Sequence, residues 1–299
     1  MSVENESRLD MLSIPITCTI LGVCLDDSLC AVVRVGRSLS EDSNLPAPQR
    51  KMFLKLTLFV FNIALSLNSV FLIWQFFTDA SGCFPVTLSQ SITFHIFMTV
   101  FDGYMLYKSS LVLGNFLAFQ IVACLCILYR TTWAVVDIVL SNLPVVWDPA
   151  ANMCVFLPCP LSTLNYTLGD VMADVVSTFA TIMAFVRQGG FEMDRYGLSF
   201  QLVKEAALRS ALCLGLDTFF LLFVYQWSGS AQNISYAVQN LIYLKLINLE
   251  LMWKGVRDRQ HMEATRRESR NVKSEDTPTL TRSRIRASEN GAPLTESKK

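Results

Sequence analysis

Residues 52–76 read MFLKLTLFVFNIALSLNSVFLIWQF, and this stretch decides the fold class. It holds one basic residue near its start and neither Gly nor Pro. A helix needs about 20 mainly apolar residues to cross a bilayer, and this one qualifies. Asn62, Ser66 and Ser69 fall at i, i+4 and i+7, on one face of such a helix. On one side of the stretch lie Arg34, Arg37, Arg50 and Lys51, with Lys55 just inside it; on the other, residues 77–84 contain no Lys or Arg.

That contrast repeats along the chain. The segments 141–169 and 228–231 are also free of Lys and Arg, whereas 187–209 carries Arg187, Arg195, Lys204 and Arg209. Twelve more basic residues, against seven acidic ones, follow Trp253. Basic loops are retained on the cytoplasmic side during insertion, so the alternation reads as topology. It predicts an all-α, polytopic transmembrane helix bundle of seven spans, at about 11–33, 52–76, 85–107, 112–140, 170–187, 207–227 and 232–253. Residues 1–10 form a short outer N-terminus and 254–299 a disordered, basic cytoplasmic tail. If the first segment, with Pro15 and Asp26-Asp27, does not span, six spans and an inner N-terminus remain. The fourth segment would run about 43 Å at 1.5 Å per residue. No internal repeat of the kind that builds inverted-repeat transporters is visible.

Composition agrees. Of 299 residues 52% are hydrophobic and only 17% charged, where soluble domains carry nearer a quarter. The bilayer is therefore the expected partner, in the plasma membrane or an endomembrane. No surface suited to nucleic acid is expected.

Polar residues inside the spans fall in stripes. Asp170, Asp174, Ser177, Thr178 and Thr181 share one face of the fifth segment, and Ser91, His95 and Asp102 one face of the third. Tyr236, Asn240, Tyr243 and Glu250 share a face of the seventh, with Lys245 and Asn248 pointing elsewhere; Ser210 and Asp217 share a side of the sixth. Intramembrane ionisable groups normally face the bundle interior and are functional candidates. The candidate ligand or ion residues are thus His95, Asp102, Arg130, Asp137, Asp170, Asp174, Asp217, Lys245 and Glu250. The acids outnumber Arg130 and Lys245, which implies protonation, bound water or a cationic ligand. Arg130, Asp137, Asp170 and Asp174 are expected toward the outer half. Asp102 is expected at the cytoplasmic boundary, as a headgroup-level anchor or a latch paired with a residue such as Arg209. Lys245 is expected in an interhelical ion pair rather than a retinal Schiff base.

Nine cysteines make no disulfide framework, because six fall inside hydrophobic segments. Cys83, Cys154 and Cys159 fall in outer loops, where an oxidising compartment allows one bridge, Cys83 with Cys154 or Cys159. The sequons at Asn5, Asn165 and Asn233 all lie on the predicted outer side. In the tail, Thr277-Pro278 and Arg284-Ile-Arg-Ala-Ser288 fit kinase sites at Thr277 and Ser288, where phosphate would weaken contact with an anionic leaflet. Such a tail suits cytoplasmic signalling or sorting proteins as partners. Two histidines are too few for a His-liganded zinc hydrolase. No phosphate loop or nucleophile elbow is present. No enzyme activity, cofactor or metal is expected.

Seven spans, an outer N-terminus, a cysteine at the start of span three and others in the loop before span five resemble the plan of G-protein-coupled seven-pass receptors. The resemblance covers the membrane body, about 11–253, as architecture. It implies a bridge from Cys83 to Cys154 or Cys159 and an acidic latch near Asp102. Asp102 is followed by Gly103-Tyr104, not by the family's Arg-Tyr; segment seven has no Asn-Pro-x-x-Tyr, and segments five to seven have no proline. The blocks Arg130–Asp137 and Val238–Tyr243 look similar to uncharacterised fungal multi-pass proteins. The expected function is a receptor-like sensor that binds a ligand or cation from the outer side and signals through inner loops and tail. The alternatives are a proton- or cation-coupled transporter or channel, with His95, Asp102, Asp217 and Glu250 as relay, and a non-catalytic scaffold or trafficking factor.

Overall fold

A computed structural model describes residues 3–42, 49–114, 116–142, 146–148, 153–155, 159–187, 208, 211–220, 222 and 233–249. Among these are seven helices: α1 (Val3–Asp42), α2 (Gln49–Gln75), α3 (Cys83–Val112), α4 (Leu117–Asn142), α5 (Pro160–Arg187), α6 (Ala211–Phe220) and α7 (233–249). α1 to α5 are each long and apolar enough to cross a membrane. Burial is inverted relative to a soluble protein. Ile121, Leu125, Leu128, Val135 and Val139 of α4 are exposed, as are Leu164, Met172, Val175, Phe179 and Val186 of α5, while Asp, Arg, His and Asn side chains are buried among the apolar ones of the interior. Apolar surface of that extent is what a bilayer solvates.

The sequence segmentation needs three corrections. α1 is one continuous helix with Pro15 inside it, longer than the expected 11–33. The fourth span does not begin at 112, because α3 continues to Val112 and stops at Gly114 (φ 78°). There the Leu113 and Gly114 amides donate to the Ser109 and Leu111 carbonyls, a left-handed glycine stop, and α4 follows from Leu117. The fifth span starts at Pro160, ten residues before the expected 170, so Asp170 stands well inside the helix. Residues 207–227 are helical over Ala211–Phe220, at 208 and at 222; the rest of that segment lies outside the described residues, as does the tail.

α1 buries a single seam, Ser13, Thr17, Leu21, Cys24, Ser28, Ala31 and Val35, spaced by fours and threes against α2. Small residues let the two backbones approach, and the Ser28 and Ser66 hydroxyls bond across the seam at 2.6 Å. α3 packs on α2, α4 and α5 and is buried over most of its circumference from Cys83 to Ser110, leaving a strip with Phe84, Ile92 and Ile96 exposed. α7 closes the bundle. Its Asn248 exchanges amide hydrogen bonds with Asn62 of α2 (2.8 and 3.2 Å). Its Tyr236 and Tyr243 rings pack on Phe94 and Phe101 of α3.

The α4–α5 connection holds an element the helical pattern did not predict, an antiparallel pair of β1 (Val146–Asp148) and β2 (Met153–Val155), with Trp147 opposite Cys154. A disulfide from Cys154 to Cys83 ties this pair to the start of α3. The turn before Cys83 is ordered by Asp79, whose carboxylate accepts from the Ser81 hydroxyl (2.7 Å) and from the Gly82 and Ser81 amides (2.9 and 3.1 Å). Those bonds, the Ser81 hydroxyl's first, hold Asp79 below the usual carboxylate range.

Candidate functional site

The polar stripes converge on one side chain. Arg130, on α4, is fully buried and is the largest fully buried side chain described. Its Nε donates to Asp170 Oδ1 of α5 at 2.8 Å and lies 3.6 Å from Asp102 Oδ2 of α3. Its Nη1 reaches His95 Nδ1 of α3 at 3.2 Å, and the Tyr166 ring of α5 lies 5.8 Å from the guanidinium. Gly169 makes this packing possible. A Cβ there would stand 3.0 Å from Arg130 Cβ and 3.1 Å from its Cα, so glycine lets α5 lie directly on α4 at the arginine.

From Arg130 the network runs both ways. Toward the strand pair, His95 Nε2 meets Asp137 Oδ2 at 3.0 Å, and Asp137 Oδ1 accepts from Ser141 and Ser162, each at 2.7 Å. Toward the other end, the Asp102 carboxyl lies beside that of Asp170, and the Asp174 carboxyl beside that of Asp217. The Tyr243 hydroxyl donates to Asp217, bringing in α6 and α7. Ser109 and Ser177 pair below, at 2.7 Å. On α5 the buried polar row from Ser162 to Thr181 covers roughly 28 Å at 1.5 Å per residue, close to the hydrocarbon thickness.

Charge counting defines what this interior can do. Asp102, Asp137, Asp170, Asp174 and Asp217 are all buried, and Arg130, which pairs with Asp102 and Asp170, is the one buried guanidinium among the described residues. Buried carboxyls in such excess of cations require bound protons, water or a cationic ligand. Arg130 Nη2, Asp102 Oδ2, Asp174 Oδ2 and both amide atoms of Asn240 are buried without a hydrogen-bond partner among the described residues.

Of the residues singled out from sequence, His95, Asp102, Arg130, Asp137, Asp170, Asp174 and Asp217 come together here. Asp102 is neither a headgroup anchor nor free to latch elsewhere: it is 2% exposed and engaged by Arg130, while Arg209 lies outside the described residues. Lys245 stands apart. It bonds Asp27 of α1 at 2.5 Å, an interhelical pair with side chains 56% and 37% exposed. Glu250, Thr277 and Ser288 lie outside the described residues. Asn165, expected in an outer loop, is inside α5; its amide donates to the Leu161 carbonyl and accepts from Tyr129, an arrangement ill-suited to carrying a glycan. Asn5 and Asn233 lie in the first turns of α1 and α7. Sequence reasoning missed Tyr166, Gly169 and Asp27. An acid at 27 and a lysine at 245, both in apolar helices, were the signal for the last.

Cys154, not Cys159, bridges Cys83. Cys159 stays free and half-exposed at the start of α5, with its amide on Ser141 Oγ and its carbonyl accepting from Ser162. Hydrogen bonding from the Ser162 amide, first among the causes, pulls its thiol below the ordinary range. A membrane-impermeant maleimide applied to intact cells at pH 7.5 is expected to label Cys159, with Cys159→Ser unlabelled. Labelling only after permeabilisation would reverse the orientation.

No protein-family model matches this chain, and no curated protein matches it.

Proposed function

We propose that this chain is a receptor-like membrane sensor. A ligand or cation arriving from the strand-pair end shifts the pairing around Arg130, and the resulting helix movement is reported through the opposite loops and the tail. The observation that carries this reading is the sharing of one buried guanidinium by His95, Asp102 and Asp170, on α3 and α5. Moving either helix against α4 changes the partners left for the other. The Asp174–Asp217–Tyr243 chain carries the same change to α6 and α7. Such an element has more than one way to satisfy its charges, as a ligand-biased equilibrium requires. The disulfide-tied strand pair supports the reading by presenting an ordered surface at one end.

A second reading, proton- or cation-coupled transport, is favoured by one observation: titratable groups run almost unbroken from Asp137 through His95 to Asp217 and Tyr243. Asp217→Asn separates the two. In reconstituted vesicles the sensor reading expects no proton or cation flux from wild type or variant. In cells, with a labelling enzyme fused after Lys299, it expects the variant to change which cytoplasmic proteins are labelled after a step in external pH or salt. Wild-type flux abolished by Asp217→Asn would instead establish the relay. A stable, correctly localised variant silent in both assays would leave a scaffold.

A further inference from the structure

α1 carries a charge on the wrong side. Its buried seam centres on Cys24 and Ser28, and Asp26, between them, points about 180° away at 3.6 residues per turn. Asp26 is exposed and has no ion-pair partner among the described residues, although it lies near the middle of the apolar stretch Ser13–Ser40. Acids within a span normally face a protein partner or a water-filled cavity. Beside it, the Asp27–Lys245 pair is itself open to the outside, with the lysine more exposed than its partner. An ammonium has three donors, and Asp27 takes one.

We infer that this face of α1 and α7 binds a second copy of the chain, so that Asp26 of each copy pairs with Lys245 of the other. Charge complementarity selects this occupant. Each copy offers one unpaired carboxylate and one ammonium with donors to spare, and two copies related by a two-fold axis satisfy both at once, as an isologous interface requires. Depth agrees as well. A two-fold axis along the membrane normal preserves depth, and Lys245 lies level with Asp27, one residue from Asp26. The same face of α1 presents Thr19 and Gly22, both exposed, with nothing within 4 Å of a Cβ placed at Gly22. Small residues of this kind let a second helix approach closely. A foreign helix bearing a basic residue would satisfy Asp26 but would leave Lys245 with Asp27 alone.

Single-molecule photobleaching of the fluorescently tagged full chain, in phosphatidylcholine vesicles at falling protein-to-lipid ratio, tests this. Wild type is expected to bleach in two steps until dilution separates the copies. Asp26→Asn and Lys245→Met should each weaken the dimer about tenfold or more, since each removes both trans pairs. Asp27→Asn, which keeps Asp26 and Lys245, should remain dimeric and serves as the control for folding. Single-step bleaching of wild type at every density overturns the inference, whether or not another protein co-purifies with the chain. So does an Asp26→Asn dimer as tight as wild type.

Discussion

Arg130→Met is expected to lose most of the folded protein. The substitution keeps an unbranched side chain of similar reach, so packing against Tyr166 and Gly169 is largely retained and the effect is electrostatic. Asp102 and Asp170 would lose the one cation described beside them, and His95 would lose the group that fills the space at its Nδ1. Breaking a buried ion pair by removing one member costs about 3–5 kcal/mol, because the remaining charge stays buried. An average interhelical hydrogen bond in a membrane contributes about 0.6 kcal/mol, so no single serine or asparagine in the bundle approaches this. Whole domains are stable by about 5–15 kcal/mol. Thermal unfolding in detergent, followed by the monodisperse fraction after heating, should show a large drop in midpoint or little recoverable protein. Arg130→Lys should fall between, since an ammonium cannot present the guanidinium's planar set of donors to Asp170 and His95 together.

Cys83→Ser is expected to have the second largest effect. The bridge joins residues 71 apart in sequence. For a free chain, closing a loop of that size would stabilise by about 4 kcal/mol on the chain-entropy estimate. Helices that remain inserted when the bundle loosens already restrict the loop, so about 2 kcal/mol is the better expectation. The consequence is also local. Without the bridge, the strand pair keeps only its short ladder, and proteolysis of residues 143–158 in intact cells should accelerate. Cys154→Ser should behave the same way and Cys159→Ser should not. Equal sensitivity in all three would mean that the bridge has no part in ordering this connection.

Much of the bundle was legible in the sequence because the bilayer restricts the choices. Continuous apolar runs, free of charge and of the right length, gave α2 and α3 within a few residues. The 3.6-residue period placed Asp170, Asp174, Ser177 and Thr181 on a face that is buried. Errors fell where hydropathy is not the deciding quantity. The first turns of α5 carry Ser162, Thr163 and Thr167, which read as loop, yet they are helical and buried, and the Ser162 hydroxyl bonds Asp137 and the Cys159 carbonyl. The α3–α4 boundary depends on a single glycine's positive φ, which an apolar run from 112 onward conceals. Counting acids against cations exposed the imbalance in the interior. It could not show that two aspartates and a histidine share Arg130, because that depends on helix rotation and on Gly169 admitting the close approach. The choice of Cys154 over Cys159 likewise depends on a strand pair too short to announce itself by alternation.

The most direct test of the Arg130-centred interior is a compensation measurement. Arg130→Met, Asp102→Asn/Asp170→Asn and the triple variant would be compared with wild type by detergent unfolding midpoint. If Arg130 is held in place by those two acids, removing them together with the guanidinium leaves neither acid facing the site it vacated, and the triple variant should recover most of the stability that Arg130→Met loses. A triple variant no more stable than Arg130→Met, or an Arg130→Met protein as stable as wild type, would contradict the account.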